Sequence, residues 1–252
     1  MTKRKKNKLR RVAAVLLILS GLGTAALCGW KIYSTEKEYQ EGDETYELIA
    51  ELAVTMEQDD TDESEIPIID LEAVQTVNEE ISCWLYSPET VINYPVCQGE
   101  DNEYYLTHLA DGTYNRNGCL FVDCDNAFDF SDDNTIIYGH HMASGSMFAS
   151  LIQYADQSYY EAHPVMYLTV GDKRYRLEIF SGYTTTMDSS AYVRNCGSPQ
   201  SFADWLREIS EKSDFIPAPM TLHLSDRIIT LSTCAYSFQD ARYVVHGRLV
   251  EL

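Results

Sequence analysis

The sequence predicts a mainly β domain, about eight strands in a mainly antiparallel barrel or sandwich with helices as insertions, carried behind an N-terminal membrane helix. Two observations predict the β domain: short apolar or alternating runs recur between turn residues from Ile66 onward, and no βαβ rhythm separates them. A third predicts the anchor: residues 12–30, VAAVLLILSGLGTAALCGW, carry no charged side chain.

Residues 1–11 hold Lys3, Arg4, Lys5, Lys6, Lys8, Arg10 and Arg11 and read as a basic cytoplasmic tail. The apolar run that follows rises about 28 Å as a helix, close to the hydrocarbon thickness of a bilayer. Trp30 and Tyr33 suit its far interface, which places the anchor at 12–33. A cleaved signal peptide has a shorter apolar core, about 7–15 residues, so a retained single-pass anchor is expected, with the remainder of the chain outside the cell. Residues 34–65 read as an acidic stalk or linker. Within it, Tyr46, Ile49, Ala53 and Met56 recur at helical spacing over 44–57, and DDTDESE at 59–65 lacks apolar residues.

The folded domain is expected over 66–252. Residues 68–81 read as a helix capped by Asp70, with Leu71, Val74 and Val77 on one side. Strands are expected near 83–87, 93–98, 118–123 and 134–138, then a short helix at Met147, Phe148 and Leu151. Residues 165–170 and 173–181 flank Gly171-Asp172, a hairpin turn; in the second run Tyr175, Leu177 and Ile179 alternate with Arg174, Arg176 and Glu178. Ser198-Pro199 opens a helix whose Phe202, Trp205, Leu206 and Ile209 form one stripe, and strands near 227–233 and 242–250 close the domain.

The formal charge is −20, yet with the basic tail and Lys31 set aside only 11 basic residues face all 39 acidic ones. Such a surface excludes nucleic acid as a partner, because phosphate neutralisation needs Lys and Arg; the acidity otherwise serves solubility. Of seven cysteines, Cys28 lies in the apolar run and six lie beyond it. Their spacing is not that of a small disulfide scaffold, and at most one or two bridges are expected.

Arg227-Ile-Ile-Thr-Leu-Ser-Thr-Cys234 reads as an apolar strand ending in a thiol. A cysteine taken alone is more often a buried structural residue, but two segments argue otherwise. Asn134-Thr-Ile-Ile-Tyr-Gly-His140 sets an imidazole at a strand end, with Gly139 permitting a tight backbone approach. A histidine near a cysteine favours the thiolate that attacks carbonyls. Arg242 opens a strand eight residues after the cysteine, its expected antiparallel neighbour, and a guanidinium there suits a developing oxyanion. His140 and His141 are adjacent and on a strand face opposite ways, so they cannot readily share one ion; no metal or other cofactor is expected, and His141 should point away from Cys234.

TLSTC ending at Cys234, Arg242 on the next strand and Tyr138-Gly-His140 resemble the sortases of Gram-positive bacteria. The fuller pattern resembles class B: NYPVCQGEDNEYYLTH (93–108), NGCLFVDC (117–124), NTIIYGHHMASGSMFASL (134–151) and TLSTCAYSFQDARYVVHGRLV (230–250). The resemblance implies an eight-stranded sortase β-barrel and a transpeptidase in which Cys234 is the nucleophile, His140 the general acid/base and Arg242 the oxyanion residue. It implies a sorting-signal groove lined by Asn102, Leu106, Tyr138 and Ser232. Tyr138 lies two residues from His140 and Ser232 two from Cys234, hence on one strand face each. The class usually has Asn where His141 stands, and Cys119 and Cys124 are additional thiols. Exported proteins with a C-terminal sorting signal of Asn-Pro-x-Thr-x type are the implied substrates, with a peptidoglycan cross-bridge or pilin amine as acceptor and no calcium dependence. A thiol peptidase that resolves the thioester with water and a catalytically silent anchored module stay open as alternatives.

Overall fold

The computed structural model describes residues 3–55 and 66–252. Two compact units divide the chain, one ending at Asp43 and one running from Glu44 to Leu252. The first is helical: α1 runs from Lys3 to Ala53 and so continues into the second. Leu16, Leu17, Ile18 and Leu19 are all exposed. Four consecutive positions cover a full turn, so apolar side chains face every direction, as on a helix that needs an apolar surrounding. One window of α1 is long and apolar enough to cross a membrane.

The end of α1 belongs to the second unit. Tyr46, Ile49 and Ala53 are buried there; the Tyr46 hydroxyl donates to the Gly118 carbonyl at 2.7 Å, and its ring meets Tyr94 edge-on. The helix stops at Ala53, short of the expected 57, because Val54–Thr55 pair as a strand with Ile68–Ile69. Met56 and the acidic run at 59–65 lie outside the described residues. The compact unit thus begins ahead of Ile66. Burying side chains such as Tyr46 and Ile49 gains about 1.5–3 kcal/mol each, a gain that a free stalk forgoes.

The helix expected over 68–81 shrinks to α2 (Leu71–Gln75). Asp70 caps it, its carboxylate accepting from the Ala73 N–H at 2.9 Å, and Leu71 and Val74 are buried. Ile81 instead opens a strand in which Ile81 through Leu85 are all buried. Strand pairing on both sides overrides the weak helical spacing there.

Eight strands close the barrel: β1 (Ile81–Tyr86), β2 (Asn93–Cys97), β3 (Leu120–Val122), β4 (Asn134–Tyr138), β5 (Val165–Val170), β6 (Lys173–Thr185), β7 (Arg227–Cys234) and β8 (Arg242–Glu251). Their order is β8-β6-β5-β1-β2-β3-β4-β7. The barrel is mainly antiparallel, as expected, with two parallel pairs, β2 with β3 and β4 with β7. The long connection 98–119 permits the first of these crossovers. Gly171, at φ +57°, makes the turn between β5 and β6. The helix expected at Met147–Leu151 is a 3₁₀ turn over Ala149–Ala155, followed by α3 (Gln157–Ala162). In α4 (Pro199–Glu211), Ser198 caps the Ser201 N–H at 3.1 Å and the predicted stripe Phe202, Trp205, Leu206 and Ile209 is buried. All seven cysteines are free thiols, so the apolar core holds the domain without bridges.

One buried polar chain crosses the barrel wall. The Tyr183 hydroxyl donates to His246 Nε2 at 3.2 Å, and His246 Nδ1–H donates to Thr230 Oγ1 at 2.9 Å. Thr230 donates to Asn134 Oδ1 at 2.6 Å, and Asn134 Nδ2 donates to the Ala191 and Val193 carbonyls at 3.2 and 2.9 Å. Burial holds the His246 pKa down to about 3, from an ordinary 6.5. A depressed folded pKa gives full stability above the unfolded value, lost as pH falls from 6.5 toward 3. Lowering pH from 7 to 5 should therefore remove about 2 kcal/mol through this group, and His246→Gln should lack that increment. Urea denaturation of both proteins at the two pH values checks it; equal losses would clear His246 of the effect.

Candidate active site

β4 and β7 run parallel and in register from Asn134 opposite Ile228 to Tyr138 opposite Ser232. Two residues beyond that last pair stand His140 and Cys234. The strand ends remain tied past the ladder: the Gly139 N–H donates to the Ser232 carbonyl at 3.0 Å, and Thr233 Oγ1 donates to the Gly139 carbonyl at 2.9 Å. β8 pairs antiparallel with β7 and puts Arg242 opposite Cys234. These three strand ends open onto one cleft of about 190 Å³. His140, Cys234 and Arg242 line it together with Asn102, Leu106, Tyr138 and Ser232, so all of the sequence-predicted site residues meet there.

His140 Nε2–H donates to the Leu106 carbonyl at 2.8 Å. A carbonyl only accepts, so the neutral ring carries its proton on Nε2 and leaves Nδ1 open. The backbone carbonyl thus fills the orienting place for which the sequence offers no carboxylate. Leu106 itself is 40% exposed and forms cleft wall, not core. The Arg242 guanidinium holds the neighbouring Ala241 carbonyl at 3.1 Å and meets no carboxylate among the described residues. Most of its donors stay open.

His141 departs from expectation. Its Nδ1–H donates to the Cys234 carbonyl at 3.1 Å, and its ring meets Tyr236 edge-on. β4 has ended at Tyr138, so the alternation of faces on which the expectation rests no longer applies. The ring anchors the backbone at which β7 ends.

Sequence reasoning misses Phe121 of β3 and Met187 of the long β6–β7 connection, which line the cleft. It also misses Tyr192 of that connection, which packs against two of the lining residues. The Tyr192 hydroxyl lies 2.8 Å from Ser232 Oγ and its ring stacks on Tyr138 with centroids 6.2 Å apart. Burial pushes the Tyr192 phenol up, with Arg242 and Ser232 opposing and Cys234 adding. The Asn134 amide, gripping the carbonyls on either side of Tyr192, sets its place. Of the additional thiols, Cys119 is buried and pushed up by burial beside Cys97, and Cys124 is raised by burial and by Asp123.

A thiol, an imidazole with one open nitrogen and a guanidinium that meets no carboxylate among the described residues, at adjoining strand ends of a closed barrel, are the groups that cysteine acyl transfer calls for. Residues 85–250 match the sortase domain family. The chain is 34% identical to Sortase B of Listeria monocytogenes over 245 residues, 96% of this chain and 99% of that protein. It is 34% identical to Sortase B of Staphylococcus aureus over 183 residues, 72% and 75% of the two chains. The structure of sortase B from Bacillus anthracis in complex with AAEK1 superposes with a TM-score of 0.74 at 33% identity, covering 86% of this chain and 99% of that one. The Staphylococcus aureus sortase B–substrate complex superposes with a TM-score of 0.68 at 34% identity, covering 72% and 84%. The chain belongs to the sortase family, as a sortase B-type cysteine transpeptidase.

Proposed function

We propose that this transpeptidase is membrane-anchored and cleaves a C-terminal sorting signal of exported proteins through a thioacyl intermediate on Cys234, passing the acyl group to an amine of the cell wall or of a pilin. The observation that carries this reading is the register: the parallel β4–β7 pair and the antiparallel β7–β8 pair deliver His140, Cys234 and Arg242 to one cleft.

In this mechanism an extended peptide lies against Leu106 and Tyr138, with Asn102 and Ser232 as polar contacts. The Cys234 thiolate attacks the scissile carbonyl carbon, and the oxygen takes up negative charge beside Arg242. His140 gives a proton to the leaving amine as the C–N bond breaks, leaving a thioester. An acceptor amine then attacks, His140 takes its proton, and the C–S bond breaks to restore the thiolate. Holding Nε2–H on the Leu106 carbonyl leaves Nδ1 to carry that proton. An Asn-Pro-x-Thr-x signal is the first to try. A sortase B has been solved in complex with triglycine, which makes a glycine amine the first acceptor. The apolar run of α1 behind the basic residues 3–11 supports a single span, N-terminus inside and barrel outside.

Intact mass spectrometry of the chain in detergent, mixed with sorting-signal peptides with and without triglycine or a diaminopimelate-like amine, tests the reading. Wild type should gain a thioacyl adduct that the amine converts to ligated peptide, and Cys234→Ala should gain none. Cleavage without ligation would indicate hydrolysis. A thiol that alkylates readily but takes no adduct from any peptide would overturn the transferase.

A further inference from the structure

Behind the cleft, and not lining it, lies a buried carboxylate. Asp123 follows β3 directly and is 3% exposed. Its Oδ2 accepts from the Tyr138 hydroxyl at 2.9 Å and from Asn102 Nδ2 at 3.2 Å. Its Oδ1 accepts from Arg194 at 3.2 Å and from the Asp125 N–H at 3.1 Å. Its backbone is fixed as well, N–H to the Ile136 carbonyl at 2.9 Å and carbonyl to Gln98 Nε2 at 3.1 Å. The carboxylate oxygens of Asp123 and Asp125 and the Cys124 sulfur lie within 4.8 Å of one another, as ion ligands would. Arg194 already bridges the two carboxylates, at 3.2 and 3.0 Å.

The side-chain donors come from three segments. Asn102 belongs to the β2–β3 connection and Tyr138 ends β4; both line the cleft. Arg194 stands two residues after Tyr192, which stacks on Tyr138 and bonds Ser232. The Asn102 amide is held at both ends, Nδ2 on Asp123 and Oδ1 on the Cys124 N–H at 2.8 Å, which settles its orientation. Burial and the Asp123 charge push the Tyr138 phenol far up, so its hydroxyl stays a donor. A buried charge is costly unless its bonds are all made, and the three segments supply the bonds.

We propose that Asp123 is a positioning residue for the sorting signal: by gathering Asn102, Tyr138 and the Arg194 segment onto one carboxylate, it fixes the groove against which the peptide docks, without touching the reacting atoms. This rests on the transpeptidase reading above.

The test uses the full chain in detergent, with Asp123→Asn, Asp123→Ala, Tyr138→Phe and the double variant Asp123→Asn/Tyr138→Phe. Asp123→Asn keeps the volume but turns one acceptor into a donor and leaves Arg194 and Asn102 without their charge partner. It should raise KM for the peptide about tenfold with kcat much less changed, as misplacement of substrate-holding groups does. Alkylation of Cys234 by iodoacetamide, which needs no groove, should stay within about twofold of wild type. In the Tyr138→Phe background Asp123→Asn should cost distinctly less, because the two share a bond. Crystal structures of wild type and Asp123→Asn read the positions without turnover, and Asn102 and Tyr138 should be displaced in the variant.

An unchanged KM with both side chains in place would overturn the proposal. So would a parallel fall of alkylation, kcat and melting temperature, which marks a merely structural residue. A wild type that forms no adduct with any peptide would sink the transpeptidase reading instead, and the crystal structures would then decide the role of Asp123.

Discussion

Arg242→Ala should lower turnover of a sorting-signal peptide by roughly 10²-fold or more, the cost of removing an oxyanion donor. Arg242 lies opposite Cys234 in the β7–β8 ladder, so its side chain is set by backbone pairing rather than by a loop. It meets no carboxylate among the described residues, so its planar fork of donors is left to face a substrate oxygen. Its effect is therefore expected in the acylation step, where the carbonyl oxygen gains charge, and not in docking. Single-turnover acylation followed by mass spectrometry separates the two. A rate loss at saturating peptide supports the oxyanion role, and a loss confined to KM would reassign Arg242 to binding. Arg242→Lys keeps one charge but lacks the planar fork, so it should recover only part of the rate. Near-normal turnover of the alanine variant would remove the role altogether.

The parts of this site that were legible in the sequence are those written into single segments. The run from Arg227 to Cys234 alternates as a strand, and Arg242 follows after a loop short enough to make an antiparallel partner, which the ladder bears out. Gly171-Asp172 and Ser198-Pro199 announce a turn and a helix start through local chemistry, and both stand where expected. The extent of α2 was not legible, because apolar spacing in 68–81 fits a helix until the β1 partners on either side are known. Nor were the parallel pairings, which depend on what the long connections do. Tyr192 and Arg194 left no signal, and Asp123 stood inside NGCLFVDC with nothing to mark its role. Their bonds join positions up to 71 residues apart, and such contacts imprint no period on the chain. His141 misled for a related reason: strand alternation was extended past the residue at which the strand ends.

Gly139→Ala should damage both stability and catalysis through one methyl group. A Cβ at Gly139 would stand 2.4 Å from Leu120 Cδ2 and 2.5 and 2.7 Å from two atoms of the Phe148 ring. Leu120 and Phe148 are both fully buried, so neither has open space to retreat into. The backbone must then move, and it is bonded on both sides to β7, through the Ser232 carbonyl and the Thr233 hydroxyl. Overpacking of this kind costs about 1–3 kcal/mol, which in a domain of this size lowers Tm by roughly 3–10 °C. The shift also falls on the residue immediately before His140, whose Nε2 bond to Leu106 and distance to Cys234 depend on it. A displacement near 1 Å is enough for a loss of about 10²-fold in kcat. Calorimetry and single-turnover acylation should therefore fall together in Gly139→Ala, while at temperatures below its Tm iodoacetamide still reaches Cys234. An alanine variant that melts like wild type would mean that the rim of the barrel yields without cost. The close approach of β4 to Leu120 and Phe148 would then not be what holds His140 in place.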